Sequence, residues 1–145
     1  MLWSGGKDCA LALREARRGG WSIRCLATFV PPDATFRAHP LDVMRRQAEA
    51  MGLEHVCIEI REPFDAAYHA GIERLRAERG VAALVTGDIA EVDGRPNWIR
   101  QCAAGTGVEV LTPLWHAPRE TLLARLIGEG FVAMISAVRG PALTA

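Results

Sequence analysis

The amino-acid sequence predicts an α/β protein built on an open, mainly parallel sheet of five to six strands with helices on both faces. Three observations carry that expectation. Apolar periodicity switches repeatedly between a helical stripe and short strand-like runs along all 145 residues. Glycines follow the helical stretches, at Gly19-Gly20, Gly52, Gly80 and Gly130. Residues 81–86, Val-Ala-Ala-Leu-Val-Thr, form a short apolar run, as a central parallel strand covered on both faces does. Regular alternation of this kind makes right-handed strand–helix–strand crossovers.

Taken in order, Leu2-Trp3 reads as a strand stub that runs into Ser4-Gly5-Gly6. Residues 7–18 read as a helix with Ala10, Leu11, Leu13 and Ala16 on its apolar stripe. Residues 21–30 read as a strand, broken by Pro31-Pro32 and Asp33. A helix over 40–51, a strand over 55–60 and a helix over 64–79 follow, then the strand at 81–86. A polar loop over 87–96 leads to a helix through Trp98, Ile99 and Cys102, and 108–111 is a strand. Residues 118–129 form a helix with Pro in its first turn, and 131–138 read as a last strand. No linker or internal repeat interrupts the pattern, so residues 1–145 are expected to be a single domain. Its first strand is short against the usual ~5–6 residues. Nothing follows to cover the last strand, so a start set too late, a truncated end, or both are expected, and the bare edge with the short first strand makes a homodimer a candidate assembly.

Composition narrows the function classes. Half of the residues are hydrophobic, 23% are charged, and acidic and basic residues balance at 17 each. An ordinary globular composition without a basic surplus argues against a nucleic-acid or membrane surface. Cys9, Cys25, Cys57 and Cys102 include no C-x-x-C pair, which disfavours a zinc ribbon, a thioredoxin-like motif or a disulfide scaffold. No apolar run approaches the ~20 residues of a membrane span and no signal peptide is visible, so a cytoplasmic protein is expected.

The segment richest in chemistry is Ser4-Gly5-Gly6-Lys7-Asp8. It lies at the carboxyl end of the first strand, where open α/β sheets bind ligands. Two glycines let backbone approach an oxyanion, and the following helix aims unpaired N–H groups at the same place. Ser4 adds a hydroxyl and Lys7 a mobile cation. Asp8 would repel phosphate unless it binds magnesium or orients a helix-start amide. The loop is neither G-x-x-x-x-G-K-[ST] nor G-x-G-x-x-G.

Ser4-Gly5-Gly6-Lys7-Asp8 resembles the PP-loop of N-type ATP pyrophosphatases, whose motif is S-G-G-x-D. Phe36-Arg37-Ala38-His39 with Gln47-Ala48-Glu49-Ala50-Met51-Gly52, Thr86-Gly87-Asp88-Ile89, Trp98-Ile99-Arg100-Gln101-Cys102 and Thr112-Pro113-Leu114-Trp115 narrow the match. Together they are similar to the diphthine–ammonia ligase family and its bacterial relatives, in the family's order along essentially the whole chain. The resemblance implies a Rossmann-like, adenine nucleotide alpha hydrolase-like fold. It also implies ATP and Mg2+ as cofactors, with ATP cleaved between the α and β phosphates to activate a carboxylate. In the named enzyme that carboxylate sits on a modified histidine of elongation factor 2, and ammonia then gives the amide. Two departures stand out. Position 9 is Cys where Ser is more usual, and the family's C-terminal segment with its C-G-E-x-G-E-like motif is absent.

Several other residues admit two roles. Asp88 follows the apolar run at 81–86 and could bind magnesium or position an incoming amine; the alternative is an aspartate capping its own turn. His39 could contact the nucleotide or be a surface or capping residue. Arg100 could grip a phosphate or acyl-adenylate with two prongs, or be a solvated charge. Trp115 reads as a packing anchor. By resemblance alone, Ala27 and Thr28 would read adenine through their backbone, and Gly87 would join the nucleotide site. Lys7, Asp8, Asp88 and Arg100 are thus the expected catalytic residues. Ser4, Gly5, Gly6, Lys7, Asp8, Ala27, Thr28, His39 and Gly87 are the expected nucleotide contacts, and Asp8 the expected magnesium ligand. The expected partners are ATP, an unidentified carboxylate and ammonia. Three functions compete: an AMP- and pyrophosphate-forming amide ligase, a catalytically incomplete ATP or AMP module, and a PP-loop enzyme of tRNA modification.

Overall fold

A computed structural model describes residues 1–32, 39–91 and 97–136. Among them the element order is α1 (Lys7–Arg18), β1 (Cys25–Val30), α2 (Leu41–Ala50), β2 (Glu54–Glu59), α3 (Phe64–Arg79), β3 (Ala83–Val85), α4 (Trp98–Ala103), β4 (Glu109–Leu111) and α5 (Arg119–Gly128). The strand–helix alternation read from the periodicity is therefore present, with ends shifted by a few residues. The largest shift is at 21–24, where Trp21 N–H donates to Ala16 C=O and completes the end of α1 before β1 begins.

Pairing is parallel throughout. β1 lies beside β2 in a register from Cys25–Glu54 to Val30–Glu59, and β3 beside β4 from Ala83–Glu109 to Val85–Leu111. These are two two-stranded sheets rather than one ladder of five or six strands. The N-terminal stub reaches both. Leu2 makes a single parallel bridge to Ala27; Ala27 N–H donates to Met1 C=O, Trp3 N–H donates to Ala27 C=O, and Leu2 N–H donates to Val85 C=O at 2.9 Å. The stub stops at one bridge because the chain leaves extended geometry at Gly5, whose φ is +73°.

The expected strand at 131–138 is a second correction. Residues 131–136 form no strand, and Val132, Met134 and Ile135 are almost fully or largely exposed; 137 and 138 lie outside the described residues. Strand preference is a preference for a half-buried pleated surface, and these side chains meet no such surface.

Helices cover both faces, as alternation along the strands requires. Leu26 and Val85 face a core filled by Leu11, Leu13 and Ala16 of α1, Met44 and Ala48 of α2, and Leu122 and Leu126 of α5. Their neighbours Ala27, Phe29 and Leu84 face the opposite core, with Ile72 and Leu75 of α3 and Cys102 and Ala103 of α4. Each fully buried leucine contributes about 1.5–3 kcal/mol. Leu11, Leu26 and Leu84, all nearly inaccessible, therefore stabilise the fold more than any exposed ion pair does. Glu129 adds a clamp at the end of α5, forming an ion pair with Arg14 Nε at 2.7 Å and accepting from Arg18 Nη1 at 3.0 Å, both from α1. No described helix is long and apolar enough to cross a membrane.

Candidate nucleotide site

Every feature of the glycine loop follows from the need to turn sharply into α1. Gly5 takes its left-handed φ, and a Cβ there would lie 2.9 Å from Gln47 Oε1. Gln47 fills that space for a reason: its Nε2 donates to Gly5 C=O at 3.1 Å, while its Oε1 accepts Trp3 Nε1–H at 3.1 Å. One side chain from α2 thus latches both flanks of the loop. Gly6 occupies the N-cap of α1 in extended geometry with no side-chain cap. The first-turn N–H groups of a helix have no intrahelical acceptor, so those of α1 remain available to an anion.

Around this turn the structure gathers Ser4, Lys7, Asp8, His39, Gly87 and Asp88. A Cβ on Gly6 would lie 3.4 Å from Ser4 Oγ and 3.5 Å from His39 Nε2, which puts the His39 ring at the loop. Lys7 Nζ donates to Asp8 Oδ2 at 2.7 Å, and both side chains are partly exposed. Ser4 Oγ and Cys9 Sγ are 3.2 Å apart. Burial pushes the Cys9 thiol above its ordinary pKa; the Ser4 hydrogen bond opposes this, while Asp88 and Asp8 reinforce it.

Gly87 explains how the end of β3 comes so close. A Cβ at Gly87 would lie 2.7 Å from Cys9 N and 2.8 Å from Asp8 C, so only glycine lets these backbones touch. Asp88 follows directly. Its N–H reaches Thr86 Oγ1 at 3.4 Å, and its Oδ2 accepts from Asn97 Nδ2 at 2.8 Å. Among the described residues, its carboxylate meets this amide rather than capping a backbone N–H of its own turn.

Several expected residues sit differently. Arg100 donates from Nη2 to Thr112 Oγ1 at 3.0 Å, and it lines an open groove with Trp21, Thr112 and Pro113. The fold does not bring it to the loop, because α4 carries it one turn beyond Asn97 toward the end of β4. Ala27 and Thr28 lie within β1, which continues to Val30. Both backbone groups of Ala27 are taken by the stub, and Thr28 Oγ1–H donates to Trp3 C=O at 2.7 Å while standing 2.9 Å from His55 Nε2. Trp115 is half-buried beside His116, and its neighbour Leu114, almost inaccessible, is the packing anchor. Of the segment Phe36-Arg37-Ala38-His39, residues 36–38 lie outside the described residues.

Sequence reasoning missed Gln47 as a latch, Asn97 and Arg119. Asn97 carried a readable signal, an Asn directly before an apolar helical run. Arg119 had none, since α5 reads simply as a packing helix. It lines a small cavity of about 90 Å³ with Lys7, Asp8, Ile89 and Leu122, at the flank of the loop.

Among the described residues no group of three or more His, Cys, Asp or Glu side chains could hold a metal alone. Magnesium at a phosphate site takes one or two carboxylates and completes its shell with phosphate oxygens and water. Asp8, partly exposed at the mouth of the turn, is the carboxylate that fits.

Residues 1–110 match the family described as Diphthamide synthase N-terminal domain, a span that holds the loop, α1 and every element through most of β4. No curated protein matches the chain.

Proposed function

The chain belongs to the diphthamide synthase N-terminal domain family, within the PP-loop superfamily, and from that premise we propose that it binds ATP and cleaves it to AMP and pyrophosphate to activate a carboxylate for amidation. The observation that carries the reading is the contact of Gly87 with the first turn of α1. It brings two strand ends, an uncapped helix start, a lysine and two carboxylates to one point.

In this reading Ser4, the Gly5 and Gly6 backbone and the α1 amides hold the phosphates, and His39 and Gly87 border them. Lys7 stabilises the charge that develops on the departing pyrophosphate, where preorganised donors act most strongly. Asp8 would hold a magnesium ion, whose contribution is neutralisation of phosphate oxygens. Asp88 stands opposite the loop and positions the incoming amine or ammonia. Arg100 reaches the acyl-adenylate only after leaving Thr112.

That last condition favours a second reading, in which the chain holds ATP or AMP without transfer. A thiolating enzyme fits less well, because the loop thiol Cys9 is only partly exposed and its surroundings raise its pKa, which lowers its thiolate share. Labelled ATP with magnesium, with and without ammonium, separates the readings. AMP and pyrophosphate are expected. Tight binding without turnover leaves the module reading, and ADP with phosphate overturns the pyrophosphatase class.

A further inference from the structure

Asn97 is a buried polar residue, 7% exposed, at the junction of the Asp88 loop and α4. Its two amide atoms have different jobs. Oδ1 accepts Arg100 N–H at 3.1 Å, which caps α4, and Nδ2 donates to Asp88 Oδ2 at 2.8 Å. Rotating the amide by half a turn would set oxygen against carboxylate and N–H against N–H, so both partners fix the same orientation. Asp88 is also held from its other end, by its N–H on the buried Thr86 hydroxyl. The residue is thus held at its backbone and at one carboxylate oxygen, directly after Gly87, which is in turn pressed on Asp8 and Cys9.

We infer that Asn97 is a positioning residue for Asp88: the side chain that starts α4 also aims the Asp88 carboxylate at the phosphate loop. The proposal rests on the nucleotide-site reading for the role of Asp88, but the link itself does not. A buried amide donating to a carboxylate is a charge-assisted bond, shorter and stronger than a neutral one. The capping half of the residue can be kept while the aiming half is removed. Serine is an N-cap acceptor of comparable strength but too short to reach Asp88. Aspartate keeps the cap and faces Asp88 with a like charge.

The test uses the full chain. In 15N-labelled protein the side-chain amide resonance of Asn97 is expected to move on Asp88→Ala; an unmoved resonance overturns the link whatever the activity. Asn97→Ser is expected to lower the thermal midpoint no further than Asp88→Ala does, since both remove the same bond, and to weaken MgATP binding or AMP formation about tenfold. Asn97→Asp is expected to lose more. In an Asp88→Ala background Asn97→Ser should cost nothing further, and an equal loss in both backgrounds overturns the proposal. If Asp88→Ala is damaging and Asn97→Ser silent, Asn97 alone is overturned. If Asp88→Ala leaves MgATP binding and AMP formation intact, the site reading of Asp88 fails and takes the role of Asn97 with it.

Discussion

Gly87 lies so close to Cys9 that a single added carbon would stand 2.7 Å from the Cys9 backbone nitrogen. The obstacle is backbone, which cannot swing aside as a side-chain tip can. Overpacking of this kind costs about 1–3 kcal/mol. Gly87→Ala should therefore lower the thermal midpoint and separate Asp88 from the loop, with MgATP affinity falling at least about tenfold. Thermal unfolding and calorimetric titration check the two halves. A variant that binds MgATP like the parent would show that the contact does not serve the site.

Gln47 permits a sharper division between stability and binding. Gln47→Leu removes both hydrogen bonds and leaves Gly5 C=O and Trp3 Nε1–H without their partner, at a cost of about 1–3 kcal/mol for an orphaned, part-buried group. Gln47→Glu keeps an acceptor for Trp3 yet sets a carboxylate against Gly5 C=O and beside the phosphate loop. The leucine variant is expected to lose more stability and the glutamate variant more MgATP affinity. Equal losses in both measurements for both variants would make Gln47 a packing residue only.

The strand–helix alternation and the glycine loop are legible in the sequence because each is written locally, in periodicity and in residue type. The sheet is less so. Residues 131–136 have strand-like composition, but a strand exists only where a neighbour pairs with it, and composition is silent on neighbours. The stub 1–3 shows the reverse: a segment too short to predict as a full strand bridges both sheets. At the site, Gly87 and Asp88 can be found from their place after an apolar strand. Arg100 cannot be placed that way, because helical phase decides which way a side chain faces. Phase is lost when the start of α4 is unknown by a residue or two, and Asn97 is the residue that sets that start.

Lys7 and Asp8 pair at the surface, 44% and 32% exposed. Exposed pairs of this kind contribute roughly 0–1 kcal/mol, so Lys7→Ala should leave the thermal midpoint within ~2 °C of the parent. Its effect belongs to the phosphate instead, with about a tenfold loss of MgATP affinity. Asp8→Asn is expected to bind ATP as well without magnesium as with it, whereas the parent loses affinity in EDTA. Titrations of both variants with and without magnesium decide the matter; a parent indifferent to EDTA removes Asp8 as a magnesium ligand.

Cys9 gives the site a pH signature. Burial raises its thiol pKa, with Asp88 and Asp8 adding to the rise and Ser4 opposing it. The folded chain then holds the thiol proton more tightly than the unfolded chain does. The associated stability is complete below the unfolded thiol pKa, about 8.5, and is lost as pH rises through the higher folded value. Cys25 and Cys102 are raised by burial as well, so the three contributions need separating. The parent should lose thermal stability more steeply above about pH 8.5 than Cys9→Ala, and the two curves should run parallel below it. Alkylation near neutral pH should modify exposed Cys57 first and spare Cys9. A Cys9 that reacts as fast as Cys57, or parallel stability curves across the alkaline range, would show that the loop leaves this thiol open to water.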